Sequence, residues 1–126
     1  MTPLEELTEL GFRPVTHWSA VGPADIKLSS LQWKDSSGWV YSFVAAGTPR
    51  YFGKTGGVLR TRMDQYRDGR DQCARIRAEI IGQLNAQRDV AVYGWSLRKT
   101  DVELQSEETN LLRRYRHIGL WNRMYR

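Results

Sequence analysis

Apolar residues along the chain switch between helical spacing and short continuous runs, and the switches mark out its elements. Leu4, Leu7 and Leu10, with Phe12 beyond Gly11, predict a helix over residues 2–11. Pro3 suits its first helical position, and Thr2 with Glu5 makes a Thr-x-x-Glu capping box. From 13 to 37 the pattern is broken by Pro14, Gly22, Pro23 and the polar cluster ending at Gly38. Val15–Trp18 and Ile26–Leu28 read there as short strands. Trp18 and Trp33 either cover one end of the core or stack on bases in a groove. His17 reads as a surface or core histidine.

Residues 39–46 and 50–53 read as antiparallel strands joined through Gly47-Thr48-Pro49. A helix over 58–68 follows, with Leu59, Met63 and Tyr66 on one face and Arg62 one turn from Tyr66. Residues 71–87 carry the clearest helical stripe, Cys73, Ile76, Ile80 and Leu84, with Arg70, Arg75, Arg77 and Arg88 lying off it, as a solvated face or as phosphate contacts. Residues 89–98 predict a third strand. Ser106 is expected to cap a last helix in which Glu108, Leu111, Leu112 and Tyr115 share a side. Arg113, Arg114 and Arg116 fall mostly on its other side. The expected fold is α/β (α+β type): a small, mainly antiparallel three-stranded sheet flanked by helices, in the order β-β-α-α-β-α. An N-terminal helix and irregular extension, residues 1–37, would precede a core over 38–126, all in one domain of 1–126.

Composition narrows the function classes. The 126 residues are 40% hydrophobic and 26% charged, ordinary for a globular protein. No apolar run is long enough to span a membrane, and the N-terminus lacks the pattern of a signal peptide. Cys73 is the lone cysteine, so no intrachain disulfide forms and a cytoplasmic location is expected. With His17 and His117 it is too little for structural zinc. The net charge is +5, and 15 of the 19 basic residues are arginine. Arginine's planar fork suits phosphate, so nucleic acid is the partner the charge favours. A merely soluble basic surface is the alternative.

Gly53-Lys54-Thr55 invites a phosphate-loop reading, but its spacing fails. The motif needs a glycine where Thr48 stands, and Gly56-Gly57 intervene before the helix. The better match joins distant pieces. Trp39-Val40-Tyr41, nine intervening residues and then Tyr51-Phe52-Gly53 resemble the paired motifs of the GIY-YIG nuclease family. Trp39 stands where that family has glycine, and Phe52 where it has isoleucine. Arg62, eleven residues after Tyr51, matches the family's helical arginine, with Tyr66 one turn later. Glu108, ahead of Leu111-Leu112, matches a glutamate that opens a later helix, and Asn122 matches an asparagine beyond it. Proline, common before that asparagine, is absent. The resemblance covers roughly residues 38–122 and does not reach 1–37.

The resemblance implies a DNA endonuclease, with RNA left open as the substrate. Phosphodiester hydrolysis needs an activated water, neutralised phosphate charge and a stabilised leaving oxygen. Arg62 is expected to neutralise the phosphate. Glu108 is expected to hold a single Mg²⁺ or Mn²⁺, with Glu107 as the rival ligand. Tyr41 is the expected general base, its pKa lowered by Lys54, Arg62 or the metal. Tyr51 is expected to orient water or phosphate. Lys54, Gly53, Tyr66, Asn122 and Arg60 complete the expected substrate contacts. The departures at Trp39 and Phe52 leave room for a nucleic-acid-binding module on the same fold that has lost activity. Target, membership in a restriction, repair or homing system, and monomer or homodimer are left open.

Overall fold

The computed structural model describes residues 1–30 and 36–123. Trp33 and the Lys34-Asp35 pair therefore lie outside the described residues. The chain opens with helix α1, Pro3–Leu10, whose capping box is formed in full: Glu5 N donates to Thr2 Oγ1, and Thr2 N to Glu5 Oε1. Two strands follow, β1 (Arg13–Ala20) and β2 (Ile26–Leu28). Next come the long hairpin β3 (Ser37–Ala45) and β4 (Thr48–Val58), then helices α2 (Leu59–Asp68) and α3 (Cys73–Asn85). Strand β5 (Val90–Ser96) and helix α4 (Asp101–Tyr115) complete the main elements.

The strands make a five-stranded antiparallel sheet in the order β2-β1-β5-β3-β4. This corrects the expected three strands and the irregular extension. Residues 13–28 belong to the sheet: β1 pairs with β5 along its length, from Arg13↔Gly94 to Trp18↔Val90. The register slips between Pro14 and Thr16, where proline has no N–H to give the ladder. Inward residues Val15 and Trp18 thus alternate less cleanly than in a regular strand, which obscured the strand's extent.

Helices cover both faces. Trp39, Tyr41, Phe43 and Ala45 point to the side of α2 and α3, with Trp18 edge-on to Phe43 at 6.1 Å. Val40 and Phe52 point to the side of α1 and α4, beside Leu7, Phe12, Leu104 and Leu111. A strand covered on both faces reads as a continuous apolar run rather than an alternating one. Every residue of β3 after Ser37 is buried accordingly.

The last helix begins earlier than expected. Thr100, not Ser106, caps it, in a second complete capping box with Glu103. The Thr-x-x-Glu signature was present there as it was at Thr2. Glu108 therefore sits in the middle of α4 rather than at its opening, beyond the reach of first-turn dipole stabilisation.

Because Trp18 is fully packed in the α2/α3-side core, Trp18→Ala is expected to cost about 3–5 kcal/mol in urea unfolding. A cost under about 1 kcal/mol would mean that the N-terminal strands are not part of the cooperative core.

Candidate active site

A cleft of about 650 Å³ runs along the β4 edge of the sheet, between α4 and the start of α3. Tyr51, Phe52, Glu108, Leu112 and Asn122 line it from β4, α4 and the C-terminal segment. Asp71, Gln72, Ala74, Arg75 and Ile76 line it from α3 and the turn before it. Of that second group only Arg75 was singled out in the sequence for a functional reading, as one of four arginines off the helical stripe that belong either to a solvated face or to phosphate contacts. Neither spacing nor motif singles out Asp71 and Gln72.

Three tyrosine hydroxyls stand behind the cleft. Tyr41 from β3 and Tyr66 from α2 lie 2.6 Å apart, and Tyr66 and Tyr51 from β4 lie 3.0 Å apart. Arg62 Nε donates to the Tyr41 oxygen at 3.0 Å. Arginine only donates, so the Tyr41 proton is free to go to Tyr66, and the Tyr66 proton to Tyr51. The reverse direction would leave the buried Tyr41 proton with no acceptor, a costly arrangement. The chain thus runs Arg62→Tyr41→Tyr66→Tyr51, and the Tyr51 proton is left facing the cleft.

Burial differs sharply along this chain. Tyr41 is 0% and Tyr66 1% exposed, while Tyr51 is half-buried. Desolvation raises all three tyrosine pKa values, against the lowering pull of Arg62. The expectation that Tyr41 meets a water directly does not fit its surroundings: its oxygen is sealed from solvent and occupied by Arg62 and Tyr66. Tyr66, expected as a substrate contact, is likewise enclosed.

Gly53 serves Tyr41. The two face each other across the β3–β4 ladder, and a Cβ on Gly53 would collide with the Tyr41 ring and hydroxyl. On the other side of β3, Gly94 lets the Trp39 ring lie over it; a Cβ there would come within 2.9 Å of the indole. Trp39 Nε1 donates to Ser36 O at 2.9 Å. Phe52 turns away from Tyr51 and stacks on Tyr115 at 5.9 Å. Both departures from the resembled motifs are thus absorbed by packing.

Arg62 lies over the Tyr66 ring at 5.1 Å. Its Nε and Nη1 are engaged by Tyr41 and Gln65, and its Nη2 has no protein partner among the described residues. Glu108 is half-buried. Burial raises its pKa, while Lys54 and Arg62 pull it down. No hydrogen bond or ion pair reaches its carboxylate among the described residues. Glu107, one residue away, is instead paired with Lys99 at 3.3 Å. No cluster of three or more His, Cys, Asp or Glu side chains occurs among the described residues. A lone, partly desolvated carboxylate on an open cleft fits a hard divalent cation that keeps most of its waters. It does not fit zinc, which prefers several nitrogen or sulfur ligands.

Asn122 clasps the strand that carries Tyr51. Its Oδ1 accepts from Phe52 N at 3.1 Å and its Nδ2 donates to Phe52 O at 2.8 Å. Trp121 N adds a bond to Arg50 O, so residues 121–122 cover the open edge of β4. Arg60 lies on the outer face of α2, paired with Asp64 at 3.2 Å.

No family model matches the sequence, and no curated protein matches it. Solved structures do match. A mutant of bacteriophage T4 EndoII, a GIY-YIG nuclease, superposes with a TM-score of 0.73 at 21% identity, over 94% of this chain and 96% of its own. The restriction endonuclease HPY188I, in complex with product DNA, superposes with a TM-score of 0.54 at 13% identity, over 91% of this chain and 82% of its own. The chain has a GIY-YIG-like nuclease fold.

Proposed function

We propose that the protein is an endonuclease that hydrolyses DNA phosphodiester bonds with the help of one divalent cation. The observation that carries this reading is a carboxylate and a phenol hydroxyl on one cleft, Glu108 and Tyr51, with the Arg62 guanidinium bonded to the same tyrosine chain behind them. Among the described residues the Glu108 carboxylate has no hydrogen bond or ion pair, and Arg62 Nη2 has no protein partner. The DNA bound to HPY188I and the likeness to EndoII support the choice of substrate.

Each side chain has a task. Arg62 Nη2 takes a non-bridging phosphate oxygen, with Lys54 adding charge nearby. Glu108 would hold Mg²⁺ or Mn²⁺, which would supply Lewis acidity at the phosphate and at the leaving oxygen. The proton-handling role passes from Tyr41 to Tyr51, the one of the three bonded tyrosines that lines the cleft. As Tyr51 gives up its proton to become a base, the bonds from Tyr66, Tyr41 and Arg62 stabilise its oxygen in series. Tyr41 and Tyr66 position and acidify Tyr51 without touching substrate. Gly53 admits the Tyr41 ring, and Asn122 fixes the strand. Arg60 contributes at most a peripheral phosphate contact.

Supercoiled and linear DNA should be nicked or cut with Mg²⁺ and left intact with a chelator. No metal-dependent cutting on any substrate would sink the reading. Arg62→Ala should slow cutting roughly 100- to 1000-fold, and Glu108→Gln should abolish it with the fold retained.

Tyr51→Phe should lose more activity than Tyr41→Phe, and the opposite ranking would return the base role to Tyr41. Because burial holds the Tyr51 proton on, the cutting rate should still be climbing at about pH 9.

Glu108 also makes a stability prediction. Its pKa is raised on folding, so its contribution is favourable at low pH and is lost as pH rises through the folded value. In chelator, Glu108→Gln should therefore melt above the parent at neutral pH, with the gap closing toward pH 4. A variant that melts below the parent at neutral pH would show that the carboxylate is already stabilised by protein.

A further inference from the structure

The part of the cleft lining contributed by α3 and the turn before it has no part in the chemistry above. It consists of Asp71 and Gln72, in the corner between α2 and α3, and of Ala74, Arg75 and Ile76 in α3. The corner is tightly held. Gly69 (φ 66°) and Asp71 (φ 49°) both take left-handed backbone, which is uncommon for a residue with a side chain. Arg70 N donates to Gln65 O at 3.3 Å and Cys73 N to Arg70 O at 2.9 Å. Arg77 braces it from behind, donating to Arg67 O at 2.9 Å and to the Asp25 carboxylate at 2.8 Å.

This brace presents two exposed polar side chains, Asp71 and Gln72, to the cleft. Gln72 occupies the cap position of α3 yet makes no capping bond, so its carboxamide is available. The chemistry of the pair is wrong for phosphate. A carboxylate repels a phosphate, and a neutral carboxamide contributes no charge. Both are right for base edges: glutamine can bond adenine at two points, and aspartate accepts from the amino group of cytosine. Asp71 and Gln72 thus give this wall, which Arg75 also lines, two groups suited to reading bases.

Resting on the endonuclease reading, the geometry points to Asp71 and Gln72 as specificity-determining residues that select adenine and cytosine next to the scissile phosphate. They contact the substrate beside the reaction and take no part in it. The braced corner holds them at a fixed distance from Tyr51, which sets the position of the recognised base relative to the cut.

The test is a cleavage map. The full chain cuts a randomised DNA library in Mg²⁺, and the cut ends are sequenced for the parent, Gln72→Ala and Asp71→Asn. The parent should enrich adenine or cytosine at a fixed offset from the cut. Gln72→Ala should flatten the adenine enrichment roughly fivefold or more, the discrimination that one good base contact supplies. Asp71→Asn should flatten the cytosine enrichment and leave the Mg²⁺ concentration for half-maximal cutting unchanged. A parent that cuts with no base preference, or with a preference that both variants keep, overturns the assignment while the nuclease stands. Loss of all cutting in Asp71→Asn, or a raised Mg²⁺ requirement, makes Asp71 part of the metal site and also overturns it. A parent that does not cut sinks both readings together.

Discussion

Three phenol hydroxyls are buried or half-buried behind one strand edge, and each must find a partner. They satisfy one another, and one guanidinium completes the set. That requirement fixes β3, β4 and α2 in one relative placement, because hydrogen bonds are directional where apolar contact is not. A shift of α2 by one turn would break the bond to Tyr41 and the contact of Arg62 with the Tyr66 ring at once. It also ranks the tyrosines. The guanidinium can only donate, so the innermost phenol gives its proton outward to Tyr66 and the outermost keeps its proton for the cleft. Chemistry and core packing are here the same set of bonds, and the exposed end of the chain follows from the charge at its buried end.

The same economy appears at the strand edge. A terminal strand with unpaired backbone groups is open to association with other chains. Here the Asn122 amide occupies both backbone groups of Phe52, and Trp121 occupies the carbonyl of Arg50. Tyr51 lies between those two bonded residues, so the clasp that protects the edge also fixes the hydroxyl that faces the cleft.

Much of this was legible in the sequence, and the failures have physical causes. The helices were clear because capping boxes and three-to-four spacing are local signals, as Thr2, Glu5 and the Cys73–Ile80 stripe illustrate. The start of α4 was misplaced although Thr100 and Glu103 repeat the signature at Thr2, because Ser106 offered a rival cap closer to the apolar face. The sheet was undercounted because β1 is interrupted at Pro14 and β2 has only three residues. The tyrosines, Arg62, Glu108 and Asn122 were singled out because motif spacing survives in sequence. Burial does not survive there, so the order of Tyr41 and Tyr51 relative to solvent was not legible. Asp71 and Gln72 carry no spacing signal at all, because the corner is set by its own backbone turns and by the packing of Arg77, neither of which leaves a periodic pattern.

The Trp39 indole rests on Gly94, a residue fifty-five positions away in sequence but on the adjacent strand. Bulk gained at one position is thus matched by the absence of a side chain at the other. A signature that asks for glycine at the first position counts tryptophan as a loss and gives no credit for the second glycine. Relatives carrying this exchange are therefore better sought as a linked pair, with tryptophan appearing only where the neighbouring strand keeps glycine. Either substitution made alone crosses a clash or a cavity, so a lineage has reason to keep both once it has both.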